Sequence, residues 1–346
     1  MNVKNKKATV AKIAEASGTS SATVSRVLNH PSMVNEKTLK KIHAAMKELN
    51  YPRREPAAKD NASGNLILVI TSDPANMFYS DIEKGIRTSA AFHKSHVMFC
   101  HDPIDDSTMH YISEQIKRGM VQGLIFCTPT KPEYLELLSA STPIVQCTEF
   151  ISPDYSYVGI NNYEAARAVL NHIYFLGYRK ILFVNGPLEY RYARERQDAF
   201  VQFAKEVNIP YESPYIVNIP RIDYDMAYVT LTQLLMSENR PDAIFATSDI
   251  FAIAASKAAA HFHIKVPDEL AIVGFDNISL LSAIATPTIT SLSQPRFQMG
   301  YTAADILFEA MHSKEPDSKP KHILLGTELI IRESSTLTAL QQRSLL

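Results

Sequence analysis

Apolar residues recur at helical spacing from the start of the chain. Val10, Ile13 and Ala14 form one short stripe, Gly18 interrupts it, and Val24, Val27 and Leu28 form a second. Ser20 stands where an N-cap would open that second helix. Two short amphipathic helices around a glycine-containing turn predict a helix-turn-helix. A third helix fits residues 35–50. Asn35 caps it, Leu39, Ile42, Met46 and Leu49 make its buried stripe, and Pro52 stops it. The outward face of the second helix carries Ser20, Ser21, Ala22, Ser25 and Arg26. Small and hydrogen-bonding groups around one guanidinium suit a helix lying in the major groove of DNA.

Beyond a polar, proline-containing stretch at 53–64, the period changes. β-rich runs at 66–70, 97–100, 123–127, 144–147 and 157–160 alternate with helical patterns near 79–93, 107–118 and 133–140. The alternation resumes with strands at 181–185, 215–217, 243–247 and 271–275, and helices near 163–176, 192–207, 225–236 and 249–262. Repeated βαβ units predict α/β architecture: parallel sheets with helices on both faces, arranged as two Rossmann-like lobes. A helix near 296–312 and a strand pair ending in Glu328-Leu329-Ile330-Ile331-Arg332 close the pattern.

Charge divides the chain at the same place. Residues 1–59 hold 12 lysines and arginines against 4 acids, a net of +8. The whole 346-residue chain is −1, which leaves −9 for the remainder. A basic head on an acidic body implies phosphate contact at the head alone. The polar start lacks the apolar core of a signal peptide, and no run is long enough to span a membrane. A cytoplasmic protein is expected. Cys100, Cys127 and Cys147 lack metal-ligand spacing and read as reduced structural residues. Neither G-x-S-x-G, P-loop, HExxH nor G-x-G-x-x-G occurs, so neither catalysis nor a cofactor is expected.

Ligands of open parallel sheets sit beyond the carboxyl ends of the strands. Residues at those ends include Asp73, Asn76, Phe78 and Tyr79, then Thr128, then Thr148, Glu149 and Phe150. In the second series they are Tyr190, Arg191 and Tyr192 with Arg196, Ser248 and Asp249, and Asp276 and Asn277. Rings, carboxylates and arginine suit a small polar ligand. Ser248 and Asp249 suit equally well the cap of the helix that follows them.

Ala-Thr-Val-Ser-Arg-Val-Leu-Asn at 22–29, Val34-Asn35-Glu36-Lys37-Thr38 and Leu49-Asn50-Tyr51 resemble the headpiece of LacI/GalR-type bacterial repressors. The resemblance, closest to the cytidine-repressor branch, implies a helix-turn-helix DNA-binding domain at 1–52, a linker at 53–64, an effector-binding and dimerisation body at 65–337 and a tail at 338–346. The body would be periplasmic-binding-protein-like, with lobe 1 at about 65–161 and 294–322, lobe 2 at about 162–291 and 323–337, and three crossings between them. It also implies base contacts from Ser21, Ala22 and Arg26, phosphate contacts from Thr9, Ser20 and Asn29, and Ser25 on the same face. Phe78, Tyr79, Thr128, Glu149, Tyr190, Tyr192, Arg196, Asp249 and Asp276 would face the effector, a nucleoside or a sugar. The implied partners are an operator duplex, that effector and a second copy of the chain. One departure stands out: no leucine precedes Leu66 in the linker, where relatives wedge one into the minor groove. Weaker, more salt-sensitive DNA binding follows, with tolerance of half-site spacing and room for a second DNA-bound regulator. The rival readings are a solute-binding protein or an enzyme on the same fold.

Overall fold

The computed structural model describes residues 10–21, 23–24, 27, 34–49, 65–71, 74, 76–237, 240–313 and 319–336. Thr9, Ala22, Ser25, Arg26 and Asn29, the linker 53–64 and the tail 338–346 lie outside these residues. In the head, α1 (Val10–Ser17) is followed by Gly18 at φ +64°, a conformation glycine adopts without strain. Ser20 Oγ accepts the Thr23 N–H at 3.1 Å and so opens the second helix, to which Ser21, Thr23, Val24 and Val27 belong. Asn35 Oδ1 accepts the Thr38 N–H at 2.9 Å and opens α2 (Glu36–Glu48).

The core of the head is small: Ile13, Val24, Val27, Leu39, Ile42 and Met46 are its main buried members. So small a unit gains from additional cover. Tyr301 and Phe297 of the body pack against it, His43 stacks on Phe92 at 4.4 Å, and Glu36 pairs with Lys84 at 3.2 Å.

The body is built on two six-stranded sheets. The first contains β1 (Leu66–Ile70), β2 (His96–Cys100), β3 (Gly123–Phe126), β4 (Ile144–Cys147), β5 (Ser156–Ile160) and β11 (His322–Leu325). Their order is β11-β5-β4-β3-β1-β2, all parallel. The second contains β6 (Ile181–Asn185), β7 (Ile216–Asn218), β8 (Ala243–Ala246), β9 (Ala271–Asp276), β10 (Thr290–Ser293) and β12 (Glu328–Ile330). Their order is β12-β10-β9-β8-β6-β7, parallel except for β12. The central strands are buried along their whole length, as strands covered by helices on both faces must be. Helices α3 (Phe78–Phe92), α4 (Asp106–Lys117), α5 (Pro132–Ser139) and α11 (Arg296–His312) serve the first sheet. The second is served by α6 (Asn162–Phe175), α7 (Arg191–Val207), α8 (Tyr224–Leu235), α9 (Asp249–His261) and the short α10 (Ser279–Ile284).

The chain passes between sheets at Asn161, at Gln294-Pro295 and at Gly326-Thr327. The last passage corrects an expectation. The two final strands do not pair with each other, because β11 extends the first sheet beside β5 while β12 runs antiparallel to β10 in the second. An apolar alternation says that a segment is a strand, and partner choice depends on which sheet edge remains open.

The tightest helix contact is between α3 and α11. A Cβ on Gly85 would fall onto the backbone of Phe297 and Tyr301, and one on Gly300 onto the backbone of Ile82. Overpacking a close contact typically costs about 1–3 kcal/mol. Gly85→Ala and Gly300→Ala should therefore each lower the Tm by several degrees in calorimetry. A parental Tm in both variants would contradict the close approach.

Candidate functional site

One cavity lies between the carboxyl ends of the two sheets. Its empty space is about 620 Å³ when the solvent at its open mouth is counted. The first sheet sends Asn76, Phe78, Tyr79, Thr148, Glu149 and Ile160 to its wall. The second sends Tyr190, Tyr192, Arg196, Ile222, Thr247, Ser248 and Asp276, and the crossings add Asn162 and Gln294.

Arg196 is the centre of this wall. It projects from the first turns of α7, is 3 % exposed, and lies between two rings: its guanidinium carbon is 3.5 Å from the Phe275 centroid and 4.7 Å from that of Tyr192. Its Nε and Nη2 donate to Asn162 Oδ1 at 3.1 and 2.9 Å, and Nη1 donates to the Thr247 carbonyl at 2.9 Å. A guanidinium has five N–H donors, so two remain beyond these bonds. Burial lowers the pKa of the guanidinium and the Asp276 carboxylate opposes that shift. Asp276 ends β9 at φ +100°, and its Oδ1 accepts Gln294 Nε2 at 2.7 Å. Burial pushes its pKa up to about 6, against the pull of Arg196 and Arg296. Thr148, across the cleft, sits at φ +72°. Sparsely populated backbone conformations of this kind concentrate at binding sites.

The aromatic pair is placed by the start of α3. Phe78 and Tyr79 meet edge to face at 5.2 Å, and Tyr79 donates its hydroxyl to the Cys127 carbonyl at 3.3 Å. Thr247 Oγ1 is buried without a hydrogen-bond partner among the described residues.

Phe78, Tyr79, Glu149, Tyr190, Tyr192, Arg196 and Asp276 thus share one cavity, whereas Thr128 and Asp249 stand outside its wall. Asp249 is fully buried and spent on structure: Oδ2 accepts the Ile278 N–H at 2.6 Å and Oδ1 accepts the Ser291 hydroxyl at 2.6 Å. It stitches α9 to the loop after β9. Ser248, its neighbour, caps α9 and does face the cavity. Glu149 lines the cavity, yet its two oxygens accept backbone N–H groups from Arg191 and Tyr192 at 2.7 and 3.2 Å. Sequence reasoning missed Asn162, Thr247 and Gln294. Asn162 and Gln294 follow strand ends at crossings, a position that marks the cleft once the crossings are located.

On the head, Ser20 and Ser21 are exposed at the start of the second helix. Ser20 Oγ also shares a hydrogen bond with Thr23 Oγ1 at 2.8 Å.

The description "Bacterial regulatory proteins, lacI family" matches residues 9–53, and "Periplasmic binding protein-like domain" matches residues 170–335. The HTH-type transcriptional regulator DegA of Bacillus subtilis (strain 168) is 30% identical over 346 residues, covering 95% of this chain and 98% of DegA. The chain belongs to the lacI family. The HTH-type transcriptional repressor CytR of Escherichia coli (strain K12) is 29% identical over 333 residues, with 95% and 96% coverage. Among solved structures, the lac repressor dimer bound to operator and the anti-inducer ONPF superposes with a TM-score of 0.69 at 24% identity, covering 95% of this chain and 99% of that one. As a lacI-family member the protein is a DNA-binding transcriptional repressor with an effector-binding body, not an enzyme. Among the described residues, no helix is long and apolar enough to cross a membrane.

Burial, aided by the neighbouring Asp276, pushes Asp249 up to about 7. The folded protein then holds a proton that the unfolded chain, with an ordinary aspartate pKa near 3.9, gives up. This site's stability is fully present at low pH and declines as pH rises toward 7. Asp249→Asn should flatten the decline in urea stability between pH 5 and 8 relative to the parent. An unchanged slope would show that Asp249 is ionised throughout.

Proposed function

We propose that this lacI-family repressor binds a neutral polyhydroxylated effector, a nucleoside or a sugar, between its lobes. The observation that carries this is the placement of Arg196 and Asp276 together in the cavity wall, near enough for each charge to act on the other. Two spare guanidinium N–H donors beside a carboxylate offer donors and acceptors to the same pair of hydroxyls. Phe78 and Tyr192 offer ring faces for a flat sugar or base. Among the described residues of the cavity wall, Glu149 and Asp276 bring two acids and Arg196 one guanidinium. An anionic effector would add a third negative charge, which disfavours phosphorylated ligands. The ligand acts on DNA binding only through different affinities for two arrangements of the lobes.

A thermal-shift screen with nucleosides, pentoses, hexoses and disaccharides tests this reading. A ligand at 100 times its Kd adds about 2.7 kcal/mol to stability. Arg196→Ala and Asp276→Asn should both abolish the shift. Variants that respond like the parent would remove these residues from the site.

On DNA, we assign Ser20 and Ser21, with Thr9, Ala22, Ser25, Arg26 and Asn29, to the operator surface. We further propose a homodimer, with the second lobe supplying one interface. Val229 on α8 is 56% exposed, Met236 just beyond it 68%, and Ile284 on α10 69%. Both helices flank α9, and clusters of exposed apolar side chains mark interaction surfaces. Val229→Asp with Ile284→Asp should shift sedimentation toward the monomer and weaken binding to a two-half-site operator. A double variant that stays dimeric would place the interface elsewhere. The net charge of +8 over residues 1–59 and the leucine-free linker also suit an operator complex steadied by a second DNA-bound regulator.

A further inference from the structure

Helix α7 begins at the cavity and needs acceptors for its first N–H groups. Its cap residue, Tyr190, makes no side-chain cap bond, and its first turn holds no acid. The acceptor comes from the other lobe. Glu149, just past β4, takes the Arg191 N–H on Oε2 and the Tyr192 N–H on Oε1, at 2.7 and 3.2 Å. A carboxylate in that place also meets the positive end of the helix dipole.

A second set of contacts crosses the cleft beside the first. The Arg191 guanidinium lies 3.6 Å from the Phe150 centroid, and its Nη1 donates to the Phe150 carbonyl at 3.4 Å. Glu195 Oε1 holds Arg191 Nε in place from the next turn of α7. Phe150 is itself fixed. It stacks on Tyr157 at 3.8 Å with an interplanar angle of 2°, and Tyr157 stacks on His322 at 4.4 Å. A Cβ on Gly159 would press on the Phe150 ring at 3.1 Å. The column therefore stands on β5 and β11 of the first lobe, and only its outermost member, Arg191, belongs to the second.

We infer that Glu149 and Phe150 form with Arg191 and Tyr192 a clasp between the lobes, so that closure of the cleft is set by the chain itself as well as by its ligand. Every contact in the clasp joins protein to protein. Glu149 is accordingly a positioning residue for α7, and through α7 for Arg196, before it is a ligand contact.

Hydrogen exchange on the full-length protein without added small molecules tests the clasp, with the backbone amides of Arg191 and Tyr192 as readout and strands β3 and β9 as controls. Glu149→Ala and Arg191→Ala should each speed exchange at those two amides about tenfold or more and leave the controls at the parental rate. Glu149→Gln keeps an acceptor and should lie between Glu149→Ala and the parent. Parental rates at Arg191 and Tyr192 in both alanine variants overturn the clasp, as does an acceleration that β3 and β9 share equally. Small-angle scattering gives an independent reading: both alanine variants should have a larger radius of gyration than the parent, and identical curves refute the inference.

Discussion

A guanidinium and a carboxylate buried in one small space set the terms for the rest of this molecule. Removing such charges from water costs several kcal/mol per ion unless geometry and hydrogen bonds compensate. Arg196 is compensated by Asn162, by the Thr247 carbonyl and by the faces of Phe275 and Tyr192. Asp276 is compensated by Gln294. These partners come from three strand ends and two crossings, so the pair is held only when the second sheet and its passages to the first are all in place. Parallel sheets provide this convergence, because every strand ends on the same edge and every following turn faces the same space. The two groups keep spare hydrogen-bonding capacity where no protein partner fills it, which is the cavity.

The same constraint reaches the head through one helix pair. Arg296, at the start of α11, donates to the Asp276 carbonyl and pairs with Asp81 of α3 at 2.8 Å. Helix α3 carries Phe78 and Tyr79 into the cavity at its first turn and Phe92 against His43 at its last. Between these ends the glycine contact at Gly85 and Gly300 locks α3 to α11, leaving no room for the two to slide. Packed cores respond to small shifts by moving as units, not by bending. The carboxyl end of β9 is thus joined to a closely packed helix pair whose far side bears Lys84 and Tyr301, both in contact with the head.

Much of this was legible in the chain. The strand and helix periods locate the main βαβ units to within one or two residues, since buried parallel strands read as uninterrupted apolar runs and their helices as 3.6-residue stripes. Ser20 and Asn35 could be read as caps because their side-chain oxygens act within three residues. What stayed hidden is long-range. Nothing local in Ile323, Leu324 and Leu325 says that they extend the first sheet while Leu329 and Ile330 join the second. The six-residue α10 is too short for a period to emerge. Asn162 looks like an ordinary helix-start residue until Arg196, thirty-four positions on, folds against it.

Asp249 and Asp276 show why residue type at a strand end is insufficient to name a ligand contact. Both follow or end strands of the second sheet, both are buried, and both have pKa values raised by that burial. The difference lies in the direction of their oxygens. Asp249 sits one residue inside α9, where the helix turns its carboxylate back toward β9 and β10; there the Ile278 N–H and the Ser291 hydroxyl consume both oxygens. Asp276 is the last residue of its strand, and its positive φ turns the side chain out of the pleat toward Arg196 and Gln294. The absence of a side chain at Gly274 completes the arrangement, since a Cβ there would collide with the Asp249 carboxylate. One acid thereby holds the loop in the shape that presents the other. Asp249 thus shapes the backbone of 276–278, and Asp276 supplies the carboxylate that lines the cavity.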